Sequence, residues 1–225
     1  MATPDNFKRP FNTPLKLDDM KINAGILYQK LTSLGWTLNA ISAALGNWQS
    51  ECTLNPNDPQ YIKDYPNLNV TAGAGKVFGN GGFGFPQWTP VRNKIGWYAQ
   101  QKGLSFDRTD TNPPSDIDLQ LEYHEFECKN GLKGDPSHKT WYSNHGYSYS
   151  WDEWKKSTDT PEKLAQAYYW QYERSAAGSE GSRPRQARFW YDYLGGVTPP
   201  SPGPTAKILK GGKNVWRILH LIQQY

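Results

Sequence analysis

The chain has 225 residues, 14% of them aromatic with ten tryptophans, which is enough for one ordinary domain of roughly 150 to 200 residues with appendages. Its net charge of +4 is local: beyond Gly196 lie Lys207, Lys210, Lys213 and Arg217 with no Asp or Glu, and removing those four from the 25 basic residues leaves 21 against 21 acidic ones. A neutral body argues against a nucleic-acid-binding domain, whose footprint is a clustered basic face, and no uninterrupted apolar run nears the ~18 residues of a bilayer span.

The N-terminus, MATPDNFKRPFNTPL, carries prolines and charges where a secretory signal carries an apolar stretch, so the ordinary export route is not expected. Two cysteines, Cys52 and Cys128, are too few for a disulfide framework and read as buried thiols, with one bridge or a chemical role as the other readings. A metal site would need Cys52, His124 and Cys128 together, and no compact pair of ligand motifs supports it. Neither a metal nor a cofactor is expected.

In chain order, LDDMKINAGILYQKLTSLG predicts a helix with Asp18 or Asp19 as N-cap, Met20, Ile22, Ile26, Leu27 and Leu31 along one side, and Gly35 as a stop. Thr37 caps the next helix, whose Leu38, Ile41, Leu45 and Trp48 recur at helical spacing. So short a turn makes the two helices neighbours. Residues 53 to 87, rich in Asn, Pro, Gly and Asp, read as turns and at most a small sheet. Further helices follow in VRNKIGWYAQQKG, in SDIDLQLEYHEFECKNG with Ser115 as cap, in PEKLAQAYYWQYE with Thr160 before Pro161, and in PRQARFWYDYLGG. VTPPSPGPT, from Val197 to Thr205, reads as an extended, semi-rigid linker. The basic tail after it places Val215, Ile218 or Leu219, and Ile222 at helical spacing, which leaves a membrane-surface helix open beside a solvated or partner-packed tail. The expected fold is mainly helical α+β: an arm over 1–15, a domain over 16–196, and linker plus tail over 197–225.

Glu51 ends the second helix, three residues after Trp48 and seven after Ala44, so all three share one side next to the apolar stripe. A glutamate at a helix end is ordinarily a solvated surface residue. Here an adjacent indole and the negative end of the helix macrodipole both disfavour the ionised form, and a carboxyl that keeps its proton can give it to a leaving oxygen. That is the general-acid role in glycoside cleavage, of which lysozyme is the best-known case, so the mechanism is borrowed from a known enzyme.

Downstream, GNGGFGFPQWTP combines Gly79, Gly81, Gly82 and Gly84, which let the backbone approach a ligand closely, with the flat faces of Phe85 and Trp88 and the amide of Gln87. Such a surface suits sugars, whose rings have an apolar face and a hydroxyl rim. Gly79, Gly81 and Gly84 also satisfy GxGxxG, but Pro86 and the lack of a strand-helix-strand frame count against a dinucleotide site. GAGKV is no phosphate loop, because positions 70 and 77 are both Val.

Taken together, GWTLNAISAALGNWQSECTLNP, then GFGFPQWTP, then YER followed by RQARFWYDYL resemble the phage tail lysozyme family, the wall-degrading domain of tail tip or tail knob proteins. The likeness runs from about Lys16 to Leu194. It implies a lysozyme-like α+β fold, a virion location at the tail tip or knob, and cleavage of the β-1,4 bond between N-acetylmuramic acid and N-acetylglucosamine in peptidoglycan glycan strands. By motif, Glu51 matches the catalytic glutamate. Gln87 falls in the Gly-aromatic-Gln segment that lines the cleft, with Trp48, Phe85, Trp88 and Tyr172 as sugar-binding candidates, and Tyr172 with Glu173 in the YER element as buried support. Asp58 and Asp64 follow Glu51 and no spacing rule selects between them; Asp64 is carried as the second carboxylate. A lytic transglycosylase, which needs only the acid/base and an internal sugar hydroxyl, stays open beside hydrolysis. The tail over residues 205–225 is read as an attachment to other tail proteins, with membrane contact also open. Competing readings are a structural tail-tip protein that binds wall glycan without cutting it, and a cysteine peptidase or amidase using Cys52 or Cys128 with His124, His138 or His145.

Overall fold

The computed structural model describes residues 6–10, 13–57, 82–90, 93–104, 116–174 and 181–195. Asp58, Asp64, Ser115, most of the segment expected to hold a small sheet, and the linker and tail lie outside the described residues.

The first helix, α1 (Leu17–Ser33), begins from Lys16, which makes no side-chain cap; Asp18 and Asp19 sit in its first turn, where they complement the helix dipole rather than cap it. Its buried side is Met20, Asn23, Ala24, Leu27 and Leu31, while Ile22 is 38% exposed and points away from the core. Asn23 takes the inward place instead because a neighbouring segment needs its amide. It accepts from the Lys8 N–H at 2.7 Å and donates to the carbonyls of Lys8 at 2.7 Å and Leu54 at 2.9 Å, tying the N-terminal arm to the exit of the next helix. The helix stops at Gly35, whose φ of 83° suits the left-handed cap, with Gly35 N–H bonded to Thr32 C=O and Trp36 N–H to Leu31 C=O.

Helix α2 (Leu38–Cys52) is capped as expected by Thr37, whose side chain accepts from Ala40 N–H. Every residue from Ala40 to Trp48 is buried, Ser42 and Asn47 included, so α2 is enclosed on all sides and runs through the centre of the protein. It packs between α6 (Pro161–Tyr168) and α7 (Arg183–Gly195), which also touch each other. The contact with α7 is set by Gly46: a Cβ there would meet Ala187 N at 2.6 Å and Arg183 O at 2.7 Å. Helix α2 also neighbours α1, as the short turn implied.

The remaining helices are α3 (Ile95–Gln101), α4 (Ile117–Asn130) and the short α5 (Trp151–Lys156). Asp116 caps α4, accepting from Asp118 and Leu119 N–H. Helix α5 was not expected from apolar spacing; a reciprocal capping box between Ser150 and Glu153 starts it. Thr160 and Pro161 open α6 as predicted, but the segment changes pitch at its end: Tyr169–Glu173 forms a π-helical turn, closed by Arg174 at φ 52°. An isolated β-bridge joins Asn144 and Tyr147. The described structure is therefore mainly helical, and none of its helices is long and apolar enough to cross a membrane.

Two apolar clusters result. The larger is built on α1, α2, α6 and α7; the smaller gathers Phe83, Trp88, Ile95, Tyr98, Ala99, Leu119 and Tyr123 between α3, α4 and the glycine-rich segment.

Candidate active site

A cleft of about 270 Å³ opens where the end of α2, the segment 86–89 and the π-helical turn converge, lined by Glu51, Gln87, Trp88, Lys94, Tyr172 and Glu173 among others. The backbone around it is strained. Thr53 and Leu54 after Glu51, Gln87 itself, and Arg174 after Glu173 all have φ between 52° and 57°, a region costly for non-glycine residues and commonly held at functional sites. At the α2 exit the cost is carried by long-range bonds. Leu15 N–H donates to Thr53 Oγ1 at 2.8 Å, and Asn55 Nδ2 holds the carbonyls of Pro10 and Thr13 at 2.7 and 2.9 Å.

Glycine 84, with φ of 80°, permits the turn that carries Gln87; a Cβ there would meet Gln120 Oε1 at 2.7 Å and the Trp88 ring at 2.8 Å. Gln120, buried on α4, accepts from Phe85 N–H at 3.1 Å and donates to Pro56 C=O at 2.7 Å, so one side chain locks the glycine-rich segment to the loop after Glu51. Gln87 is half-buried and donates to Gly84 C=O at 3.1 Å.

The sequence-derived candidates separate into wall and support. Glu51, Gln87, Trp88 and Tyr172 line the cleft together, although Glu51 and Tyr172 lie 121 positions apart in the chain. Trp48 and Phe85 are not among its lining residues. Trp48 is fully buried, stacks on Phe85 at 4.9 Å between ring centroids and donates to Tyr168 Oη at 2.9 Å. Tyr168 in turn meets His124 Nε2 at 2.7 Å. These rings brace the cleft from within the core.

The surroundings of Glu51 also differ from the dry indole niche expected. Its side chain is 20% exposed and forms an ion pair with Arg183, the first residue of α7. The same guanidinium bonds Glu173 Oε2 through Nε at 3.1 Å and stacks over the Tyr169 ring. Sequence spacing could not supply this, because Arg183 reaches Glu51 only through the close contact of α7 with α2 at Gly46. Glu173 is 3% exposed; burial, and then the Glu51 charge, push its carboxyl from an ordinary 4.5 up to about 8, with Arg183 opposing.

A further carboxyl, Glu127 on α4, was not singled out from the sequence. It is fully buried behind the cleft wall, accepting from Trp88 Nε1 and Tyr172 Oη, so it fixes both aromatic rings. Burial raises its pKa, against the pull of Lys94 and of its hydrogen bonds. The signal was present: Glu127 lies four residues after Tyr123 on the inward side of a helix.

Cys52 and Cys128 are buried thiols with no disulfide between them. Burial pushes the Cys128 thiol well up and His124 down to about 3, so the pair at 3.9 Å holds a neutral thiol and a neutral imidazole rather than a thiolate. That is the wrong charge state, in a closed place, for a cysteine nucleophile. Among the described residues no group of three or more His, Cys, Asp or Glu is placed to hold a metal ion.

The chain is 31% identical over 185 residues to morphogenesis protein 1 of Bacillus phage B103, an alignment covering 82% of this chain and 42% of that protein. The chain thus spans less than half the length of this relative. The pattern of the phage tail lysozyme family matches residues 22–194, from within α1 to the last turn of α7, taking in every helix that builds the cleft. The chain belongs to the phage tail lysozyme family.

Proposed function

We infer that the protein is a tail-associated peptidoglycan hydrolase that opens the host wall during infection. Its bond is the β-1,4 link between N-acetylmuramic acid and N-acetylglucosamine, and it acts from the virion tail. The observation that carries this reading is the convergence of Glu51 with Gln87, Trp88 and Tyr172 on one cleft. Glu51 stands at the end of a rigid buried helix, as a proton donor to a glycosidic oxygen should. Gln87 offers an amide to sugar hydroxyls, and Trp88 and Tyr172 offer edges fixed from behind by Glu127. Asp64 is assigned the second carboxylate, activating water or stabilising positive charge on the sugar. The tail over residues 205–225 is assigned to attachment within the phage tail.

The test is turbidity loss of purified peptidoglycan, with Glu51→Gln and Asp64→Asn as variants. Replacing Glu51 is expected to slow lysis by about 10² to 10⁴, the usual size of an acid-base contribution. An unchanged rate in Glu51→Gln rejects the assigned acid. Mass spectrometry of the released muropeptides separates hydrolysis from transglycosylation, since the latter leaves anhydro-muramic ends.

One observation favours a second reading, a tail-tip protein that binds wall glycan without cutting it: Glu51 is paired with Arg183. Retention on insoluble wall with release of neither reducing nor anhydro-muramic ends would establish that reading instead.

A further inference from the structure

Glu51 and Glu173 reach the cleft from different elements, α2 and the π-helical turn, and Arg183 of α7 touches both. Arg183 divides one guanidinium between two carboxylates, and of these Glu173 is almost wholly removed from water while Glu51 keeps a fifth of its surface exposed; an incompletely paired charge is expensive to take out of water. The geometry shows which carboxylate is the less well served. Arg183 engages one oxygen of Glu173, and the other, Oε1, is buried with no hydrogen-bond partner among the described residues, although the residue lines the cleft. An ionised carboxylate held by a single bond in so dry a place costs more than a protonated one, which leaves a polar group unpaired but no charge.

We propose that Glu51, Arg183 and Glu173 work as one unit holding a single proton, which rests on Glu173 in the free enzyme and passes to Glu51 when a glycan strand fills the cleft. This deepens the reading of the site as a glycosidase and rests on it. In the exchange the O–H bond of Glu173 breaks and one forms on Glu51, while Arg183 turns its charge from Glu51 to the newly ionised Glu173. Glu51 then gives the proton to the glycosidic oxygen as the C–O bond breaks, the bonding pair leaving with that oxygen. Arg183 pairs again with the Glu51 carboxylate. The water that completes hydrolysis releases one proton, which restores the count on Glu173. Glu173 is a positioning residue in this scheme, acting on the sugar only through Glu51. The other charged and titratable groups facing it are Tyr168 and Tyr172 from its own segment, Arg174 beside it, and Lys94 across the cleft. Burial raises both phenols well above their ordinary range, so they stay neutral over the working pH.

The experiment is the pH profile of kcat/KM for wall lysis by the full chain and its Glu173→Gln and Glu173→Asp variants. With Gln at 173 the proton store is lost, so the alkaline limb moves to lower pH. Because one unit of displacement is a factor of ten, lysis at pH 7.5 should fall about tenfold or more while lysis at pH 5 stays within about threefold. Glu173→Asp, which keeps a carboxyl, should restore the alkaline limb. A loss equal at every pH, or an unmoved profile, overturns the proposal. Should Glu173→Gln fail to fold, carboxyl carbon-13 NMR of labelled wild-type protein decides the matter. One glutamate should titrate in the neutral to alkaline range and shift its midpoint downward in Glu51→Gln; no such resonance overturns the proposal. The two readings fail separately. Absence of both reducing and anhydro-muramic ends from wild-type digests removes the glycosidase assignment, whereas loss of lysis in Glu51→Gln with an unshifted Glu173→Gln profile removes only the shared proton.

Discussion

Two glycine-to-alanine substitutions, Gly46→Ala in α2 and Gly25→Ala in α1, test the packing that makes the site. Both exchanges sit inside helices, so each gains up to about 1 kcal/mol of helix propensity from the restricted unfolded chain. The surroundings then divide them. A Cβ on Gly25 meets nothing within 4 Å, whereas one on Gly46 would stand 2.6 Å from Ala187 N, 2.7 Å from Arg183 O and 2.9 Å from Ala187 Cα. All three are backbone atoms of α7, which cannot swing aside as a side chain can. Ordinary contact begins at 3.4 Å, so the helices must part by about 0.8 Å. Overpacking of this kind costs about 1 to 3 kcal/mol, which at least cancels the propensity gain and leaves Gly46→Ala destabilised by up to about 2 kcal/mol. At about 2 to 4 °C per kcal/mol for a chain of this size, calorimetry should show Gly46→Ala melting up to about 8 °C below wild type and Gly25→Ala up to about 4 °C above it. Wall lysis below both transitions adds the functional half. Arg183 opens α7, so parting α2 from α7 should slow lysis by Gly46→Ala and leave Gly25→Ala unchanged. If both variants melt higher than wild type, the close approach of α2 and α7 is wrong, and with it the route by which Arg183 reaches Glu51.

Three further outcomes follow from the site. Replacing Glu127 by Leu leaves the Tyr172 hydroxyl without its buried acceptor, at about 1 to 3 kcal/mol, while the Trp88 indole keeps Tyr172 Oη at 3.0 Å; Glu127→Gln, which keeps an acceptor, should cost less in chemical denaturation, and equal losses would contradict the contact. Glu173 should make stability depend on pH. Its folded carboxyl titrates at about 8 against an ordinary 4.5, so the folded state holds a proton the unfolded chain releases, and the melting temperature should fall as pH rises through that window. Glu173→Gln should flatten that decline, and a slope identical to wild type would show that Glu173 does not carry the proton. Finally, Cys52 and Cys128 should resist alkylation in the native protein and react on unfolding, with lysis unaffected by the reagent; rapid native labelling would contradict their burial.

Local chemistry was legible from the chain. Thr37 as a cap, Gly35 as a stop, and Pro161 after Thr160 are governed by neighbours a few residues away. Helix α5 could have been read too, from Ser150 and Glu153 at capping-box spacing, but it is too short for apolar periodicity to reveal. The roles of the aromatic residues were not legible. Trp48 and Trp88 have the same chemistry in sequence and both are buried, yet one lies wholly in the core and the other, 1% exposed, borders the cleft, because Tyr168 holds the first indole and Glu127 the second.

The sequence by itself determined where α2 and α6 start and where α1 stops, which carboxyl stands at the end of the central helix, and that a segment of glycines and aromatics follows it. Only the tertiary structure decided what that carboxyl touches. A charge responds to groups within a few ångströms whatever their distance along the chain, and Arg183, Glu173 and Glu127 come within reach of the cleft through helix packing that no local pattern encodes.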